Sequence, residues 1–255
     1  MQKIATEALV LRSVDFGESD RIVHLLTPET GRIAAIAKGA RRSIKRFGGT
    51  LDFFNQLHVQ LERKRGPVQL ARLDQARLLR AFHGLREHSG RFALGCYLLE
   101  LLDRLAPEGG RRDDLAALYR FALDALGAID TLTPEPRLRT LLELRLLAAV
   151  GLRPELGVCV RCGKPIRAAL AQFWIAEGGP ICEACTQPHE QGIPIHLGTL
   201  RALEQSLSFP FAHSGRIALS QTALREAHTV IGRFLRFHLG VELKSEAFLS
   251  ARLER

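Results

Sequence analysis

Four cysteines between residues 159 and 185 constrain this chain more than any other feature. They form two pairs, Cys159-Val-Arg-Cys162 and Cys182-Glu-Ala-Cys185, with nineteen residues between the pairs. Two C-x2-C pairs at such a separation are typical of zinc sites. Each pair sits on a tight turn that directs two thiolates to one point, and two such turns complete a tetrahedron around Zn²⁺. The sequence therefore predicts one zinc ion held by all four cysteines.

Two disulfides are the alternative use of the four cysteines. The N-terminus lacks the apolar core of a signal peptide, so we expect a cytoplasmic protein whose thiols stay reduced. His189 follows Cys185 closely and is a weaker candidate ligand. Cys96 lies in an apolar segment and is expected to be a small buried residue. Because four thiolates leave no position open to water, the predicted zinc is structural.

Positive charge is concentrated near the N-terminus. Residues 1–80 hold 15 Lys and Arg against 8 Asp and Glu, a balance of +7, whereas the whole chain carries +9. Such an asymmetry favours an acidic partner, most often nucleic acid. A solvated charged face is the alternative. No apolar run reaches eighteen residues, so no membrane span is expected.

The first eighty residues have the pattern of a small barrel. Short segments rich in β-forming residues, two of them with strict apolar–polar alternation, predict strands at 8–14, 21–27, 32–38, 56–61 and 68–73. Five strands with a wider gap after the third predict an OB-fold, and an SH3-like barrel is the alternative. An OB-fold binds nucleic acid on its second and third strands and through the loops that join strands one to two and four to five.

Two basic clusters fall on the connections of this barrel. The predicted contacts to phosphate groups are Lys38, Arg41, Arg42, Lys45 and Arg46 between strands three and four, and Arg63, Lys64 and Arg65 between strands four and five. Lysine and arginine bind a strand by releasing its counterions. Phe16 or Phe47 can stack on a base, whereas Phe53 and Phe54 are assigned to the core.

The remaining residues predict helices on both sides of the cysteines. The predicted helices are 91–103, 115–129, 137–150, 198–208 and 221–239, and their apolar stripes indicate a helical bundle. We expect a multidomain α+β protein with four parts: an OB-fold domain at 1–80, a first helical part at 81–153, an inserted zinc knuckle at 154–195 and a second helical part at 196–255.

Motifs for catalysis are absent from the sequence. It has no P-loop, no zinc-deaminase signature before the second cysteine pair and no carboxylate cluster that suggests a two-metal nuclease. We therefore expect a protein that is not an enzyme. The alternative is a zinc-containing nucleic-acid-processing enzyme, such as a nuclease or an RNA-processing factor. Cleavage of labelled strands with Mg²⁺ or Mn²⁺ would favour that alternative.

Several segments resemble one known family. They are Ala8-Leu-Val-Leu11, Glu18-Ser-Asp-Arg-Ile-Val23, Leu26-Thr-Pro-Glu-Thr-Gly31, Ala37-Lys-Gly-Ala-Arg41, Phe237-His-Leu-Gly240 and Leu243-Lys-Ser245. Together with the cysteine spacing and the order of the parts, they are similar to the bacterial RecO family of DNA-repair proteins. The resemblance extends over nearly the whole chain.

The resemblance implies a recombination mediator of the RecFOR pathway. RecO-like proteins bind single- and double-stranded DNA, anneal complementary strands and work with RecR. They help to load RecA onto strands covered by single-stranded DNA-binding protein, whose acidic C-terminal tail they contact. It implies a cytoplasmic, nucleoid-associated protein that is a monomer when free and has no cofactor beyond structural zinc. Some relatives lack the cysteines, so zinc is not expected to carry the shared activity.

Overall fold

The computed structural model describes residues 2–63, 70–212, 219–240 and 242–253. The strands are β1 (Gln2–Phe16), β2 (Asp20–Thr27), β3 (Gly31–Ala37), β4 (Asn55–Arg63), β5 (Ala71–Ala81), β6 (Leu170–Trp174), β7 (Gly179–Ile181) and β8 (Ile193–His196). The helices are α1 (Ile44–Phe47), α2 (Gly84–Glu87), α3 (Ser89–Leu105), α4 (Arg112–Thr131), α5 (Pro136–Ala149), α6 (Leu197–Ser206), α7 (Gln221–Leu239) and α8 (Lys244–Leu253). A 3-10 helix spans Glu183–Cys185.

The chain forms two compact units. Unit 1 comprises Met1–Thr133 together with Leu243–Arg255, and unit 2 comprises Pro134–Glu242. The division of the sequence into an OB-fold domain, two helical parts and a zinc knuckle stays a prediction. Across the described ranges, no helix combines the length and the hydropathy that a membrane crossing requires.

Unit 1 contains a closed five-stranded barrel with the strand order β1-β2-β3-β5-β4. The ring closes because the long strand β1 pairs with β2 through its second half and with β4 through its first half. A short parallel contact between β3 and β5 completes it. This arrangement is that of an OB-fold, so the structure confirms the predicted barrel and distinguishes it from the SH3-like alternative.

Alternating apolar residues fill the barrel. On β3, for example, Ile33, Ala35 and Ala37 point inward, as the strand period of two requires. Phe47 of α1 belongs to the same interior cluster and is only 3% exposed. The interpretation of Phe47 as a base-stacking residue was therefore wrong, because α1 turns its ring into the barrel. Phe53, assigned to the core, is 40% exposed, whereas Phe54 is fully buried as expected.

Helices cover part of the barrel's outer surface within unit 1. Helix α3 packs on β1, and α4 packs on β2 and β3. Leu9 and Leu26 lie outside the interior cluster and yet are fully buried. At the β2–β3 turn, the backbone N–H of Arg32 donates to the carbonyl of Pro107 at 2.8 Å. The outer side of β2 and β3, where OB-folds usually bind, is thus partly occupied by the protein's own helices.

Ion pairs fix this covered face. Nδ1 of His24 on β2 lies 2.6 Å from Oδ1 of Asp103 on α3, and the Arg32 guanidinium pairs with Glu108. Burial alone would raise the pKa of Asp103, but the hydrogen bond and charge of His24, together with the charges of Arg32 and Arg12, outweigh it, and the pKa lies below its usual value. A charged Asp103 in a half-buried position strengthens its link to β2.

Unit 2 joins three helices to a small sheet. Helices α5 and α6 each pack against α7, and the sheet has the order β7-β6-β8. Helix α7 begins at Ser220, whose hydroxyl accepts the backbone N–H of Ala223, and ends at Gly240 in the left-handed conformation. The segment that carries the cysteines lies between α5 and α6. The predicted α+β architecture with a four-cysteine insert is confirmed.

Several strands and helices are longer than the sequence predicted or were not predicted at all. Strand β5 was predicted to end at residue 73 and reaches Ala81, because an irregularity in its pairing with β4 absorbs Asp74 and the ladder then continues. Strand β1 was predicted over 8–14 and spans fifteen residues. Strands β6, β7 and β8 and helices α1, α2 and α8 were not predicted.

Candidate metal centre and nucleic-acid interface

The four predicted thiols meet at one point of unit 2. Their sulfur atoms all lie within 4.8 Å of one another, and Sγ of Cys162 is 3.8 Å from Sγ of Cys182. A tetrahedral ion with Zn–S bonds of about 2.3 Å places its ligand sulfurs about 3.8 Å apart. All five cysteines are free thiols, so the disulfide alternative is not realised. The donor set and its spacing fit a tetrahedral metal ion.

Two tight turns bring the thiols together. In the first turn, the backbone N–H of Gly163 donates to the carbonyl of Cys159 at 2.8 Å, and Gly163 has φ +71°. In the second turn, the N–H of Cys185 donates to the carbonyl of Cys182 at 2.9 Å. Only glycine adopts such a positive φ without strain, so Gly163 suits the turn that directs the first pair.

Arg161, inside the first cysteine pair, ties the two turns together. Its guanidinium lies 2.6 Å from a carboxylate oxygen of Glu177 and 2.7 Å from one of Glu190. It also donates to the backbone carbonyl of Cys185 at 2.8 Å. The pKa of Glu190 is lowered to about 2, chiefly by the hydrogen bond from Arg161. The role of Arg161 was not predicted from the sequence. The available indication was the position of a cation between the two cysteines of a C-x2-C pair.

The thiols differ in acidity. Burial would raise the pKa of Cys159, but backbone N–H donors, led by Cys182 at 3.4 Å, lower it to about 6. The pKa of Cys185 is raised to about 12 because its thiol shares hydrogen bonds with those of Cys182 and Cys162. Four adjacent thiolates repel one another, and a divalent cation is the group that allows all of them to be deprotonated. His189 is not part of this cluster.

The basic residues between β3 and β4 lie beside the loop that joins β1 to β2. We call residues 38–46 the basic segment. The backbone N–H of Arg41 donates to the carbonyl of Ser19 at 3.0 Å, and the N–H of Gly39 donates to the Asp20 carboxylate at 2.8 Å. That bond, with one from Ser19, lowers the pKa of Asp20. The structure therefore places Arg41 and Arg42 of the basic segment directly beside this OB-fold loop.

Acidic side chains engage some of these cations. Arg41 is 3.5 Å from Asp15, and Arg42 is 3.9 Å from Glu18. Arg46 donates to the carbonyl of Lys38 at 2.8 Å and lies over the ring of Phe47. All these ion pairs are exposed, and such pairs are weak, so a phosphate can compete for the arginines.

The second predicted cluster falls mostly outside the described residues. Lys64 and Arg65 are among the undescribed residues 64–69. Arg63 ends β4 and pairs with Gln2, at the opposite end of β1 from the loop that contacts the basic segment. Arg63 is therefore separate from the basic segment along the barrel. Phe16, the other candidate for base stacking, is 53% exposed beside that loop.

A groove on the outer side of β4 and β5 escaped the sequence analysis. It has a volume of about 590 Å³ and runs between α1 and the two strands. Its polar lining comes from Lys45, Arg46, His58, Gln60, Gln75 and Arg77. We call it the β4–β5 groove. The side chains of β5 were missed because Arg77 lies beyond the predicted end of the strand.

A second, more apolar pocket of about 370 Å³ lies between α3, α8 and the barrel of unit 1. We call it the α3–α8 pocket. Its apolar lining comes from Leu11, Phe53, Phe92, Leu99 and Phe248, and its cations are Arg12, Arg104 and Lys244. Two carboxylates, Glu100 and Asp103, also line it.

The two carboxylates of this pocket are already engaged. Burial disfavours the charged form of Glu100, but hydrogen bonds from Ser245 and Lys244 outweigh it and lower the pKa. Those bonds measure 2.8 Å from the Ser245 N–H and 3.0 Å from the Lys244 N–H. Asp103 is held by His24. Three cations against two carboxylates leave the rim with an excess of positive charge.

Comparison with protein-family models matches two adjoining domains. Residues 1–82 match the family described as Recombination protein O N terminal, and residues 86–247 match Recombination protein O C terminal. The first match covers the barrel, and the second contains the four cysteines and most of the helices.

Curated relatives match over nearly the full length. Proteins named DNA repair protein RecO are 37% identical in Anaeromyxobacter dehalogenans, over 98% of this chain and 96% of the relative, and 36% identical in Pelobacter propionicus, over 95% and 94%. A third, from Myxococcus xanthus, is 34% identical over 98% of both chains. Identity at this level over whole chains, with both family models, shows that the chain belongs to the RecO family.

Proposed function

We propose that this protein is a DNA repair and recombination mediator that is not an enzyme. In this proposal it binds single- and double-stranded DNA, anneals complementary strands and, with RecR, helps to load RecA onto strands coated by single-stranded DNA-binding protein. The observation that carries the proposal is the basic segment at the edge of an OB-fold barrel. The relatives' printed name supports the role in DNA repair.

The physical basis is electrostatic. Two strands of like charge must approach each other before they anneal. A cationic surface that contacts phosphates lowers this repulsion and leaves the base edges free to pair. Residues 1–80 carry the +7 excess that such a surface needs. A cytoplasmic, nucleoid-associated monomer is the corresponding cellular form.

Annealing is the direct test. The full chain should accelerate duplex formation between complementary oligonucleotides without ATP, and the rate should fall as salt rises. Labelled strands incubated with Mg²⁺ or Mn²⁺ should stay intact. Cleavage would instead support the alternative of a nucleic-acid-processing enzyme. Among the residues described, the four thiols form the single group of three or more His, Cys, Asp and Glu side chains close enough to share a metal.

Changing Arg41 and Arg42 together to alanine should weaken DNA binding for all sequences. Each lost phosphate contact on a single strand reduces the slope of log K against log salt by about 0.7, so the double variant should lose about 1.4. Titrations of a labelled single strand at several salt concentrations measure this slope. Arg111→Ala, also an exposed arginine with an acidic partner, is the matched control. An unchanged slope in the double variant would exclude both arginines as phosphate contacts.

The proposed metal is Zn²⁺ with a structural role. Four thiolates at tetrahedral spacing are a typical zinc donor set and leave no position for a reacting water. Cys159, Cys162, Cys182 and Cys185 would hold the ion, which would stabilise the two turns. No step of annealing passes through it.

We also propose the α3–α8 pocket as the docking site for the acidic tail of single-stranded DNA-binding protein. The apolar floor suits an apolar tip, and the rim cations suit acidic residues.

Replacing Arg104 and Lys244 by alanine should weaken binding of a labelled acidic peptide with a C-terminal phenylalanine by about tenfold, or about 1.4 kcal/mol. Fluorescence anisotropy measures the affinity. Binding of bare DNA should be unchanged, since these residues lie outside the basic segment. Equal peptide affinities for the wild type and the variant would exclude this pocket. Annealing of strands coated with tail-less and intact protein at equal rates would contradict docking as a whole.

A further inference from the structure

A strand that reaches the basic segment needs a path across the barrel. The usual path, over the outer side of the second and third strands, is partly closed here. His24 on β2 is bonded to Asp103 of α3, and the Arg32 backbone is bonded to Pro107. Leu26, on the same side, is fully buried. Nucleic acid that entered this face would have to displace α3 and the segment that follows it.

The β4–β5 groove offers a different path. It begins at Lys45 and Arg46, which also belong to the basic segment, so a strand held there reaches the groove directly. Strand pairing places His58 opposite Arg77 and Gln60 opposite Gln75, which forms a continuous polar floor. Both glutamines and Arg77 are exposed. The floor therefore presents its hydrogen-bonding groups to solvent.

The chemistry of the groove fits single-stranded DNA. The described residues of its lining include three permanent cations and no acidic side chain. The nearest carboxylate on β5, Asp74, is paired with Arg72 at 2.8 Å. Glutamine amides and an imidazole both donate and accept hydrogen bonds, as nucleotide bases and sugars require. The volume of about 590 Å³ lies within the range of about 300–1,000 Å³ that is typical of small-ligand sites, so an unstacked nucleotide with its phosphate can enter.

We infer that a single strand of DNA runs from the basic segment into the β4–β5 groove, where Arg77 contacts a phosphate and Gln60 and Gln75 contact the adjoining nucleotide. This inference rests on the proposed function and names the path of the strand within it. Among the described residues no phenylalanine, tyrosine or tryptophan lines the groove, so charge and hydrogen bonds hold the nucleotide, without the stacking on large aromatic rings that many single-strand sites use.

A pair of arginine variants on β5 tests the path. Arg77→Ala removes a groove cation, whereas Arg72→Ala removes another exposed arginine that lies outside the groove and pairs with Asp74. The full chain is titrated with a labelled oligothymidylate at several salt concentrations. Arg77→Ala should reduce the slope of log K against log salt by about 0.7, and Arg72→Ala should leave it unchanged. Gln75→Glu places a negative charge in the groove and should weaken binding by at least threefold. This variant tests the path if Arg77→Ala folds poorly.

Photocrosslinking tests the path of the strand independently. An oligonucleotide that carries 5-iodouracil should crosslink to peptides that contain residues 58–60 or 75–77. Unchanged binding by both groove variants, or crosslinks confined to β2 and β3, would overturn the path and leave the DNA-binding function standing. If the wild-type chain binds no oligonucleotide at low salt, the proposed function fails together with the path.

Discussion

Replacing Cys162 with serine should remove the bound metal and unfold the part of unit 2 around it. Structural zinc contributes about 10–16 kcal/mol in small zinc modules, as much as the whole stability of a typical domain. Arg161 and backbone hydrogen bonds also join the turns around Cys159 and Cys182, but a metal ion would bond all four thiols directly. Elemental analysis should show one zinc per wild-type chain and almost none in the variant. Proteolysis should then cut between residues 155 and 196 of the variant.

Cys96→Ser is the matched control for this experiment. Cys96 lies on α3 in unit 1, outside the metal cluster, so the zinc content should stay at one per chain. The variant at Cys162 should still bind DNA, because the basic segment belongs to unit 1. Wild-type protein purified without chelator or oxidant that contained no zinc would contradict the proposed metal.

Replacing Gly31 with alanine should destabilise unit 1 by about 3 kcal/mol. Gly31 has φ +70°, and a methyl group there would overlap the carbonyl oxygen of Pro107. The same carbonyl accepts the N–H of Arg32, so it cannot move away without breaking that bond. Backbone strain and steric overlap therefore add, which places the cost well above the usual effect of one substitution. Urea denaturation measures the loss.

Gly17→Ala separates the two contributions. Gly17 has φ +60°, and a methyl group there would meet nothing within 4 Å. Only the strain of about 1 kcal/mol should then remain. Equal losses at the two glycines would show that the contact between the β2–β3 turn and Pro107 contributes little to stability.

Local sequence pattern was sufficient to predict the barrel and the cluster of four thiols. Strand alternation and the C-x2-C spacing are short-range signals, and the predicted α+β fold with its four-cysteine cluster is confirmed. Which residues bind DNA stays a prediction. The covered face of β2 and β3 depends on contacts between residues far apart in sequence, such as His24 with Asp103. One signal did exist: the unbroken apolar run from Ala8 to Leu11 is typical of a strand buried on both sides.

The β4–β5 groove could not be predicted from local sequence pattern either. Gln60 and Gln75 are ordinary surface glutamines in the sequence, and only the register of two antiparallel strands brings them side by side. Whether the ring of Phe47 points into the barrel depends on the orientation of the four-residue helix α1. Helix periodicity needs a longer segment, so no sequence pattern predicted that its ring lies inside the barrel.

Unit 1 is built from two stretches of chain that unit 2 separates, and this affects its folding during synthesis. Residues 134–242 leave the ribosome before Lys244 of α8 does. Until then Phe92 lacks its edge-on contact with Phe248, and Glu100 lacks the two N–H groups it accepts. The later unit can therefore fold around its four thiols while the earlier one is still open. A nascent chain that stalled before α8 would expose an apolar surface on α3, which chaperones bind.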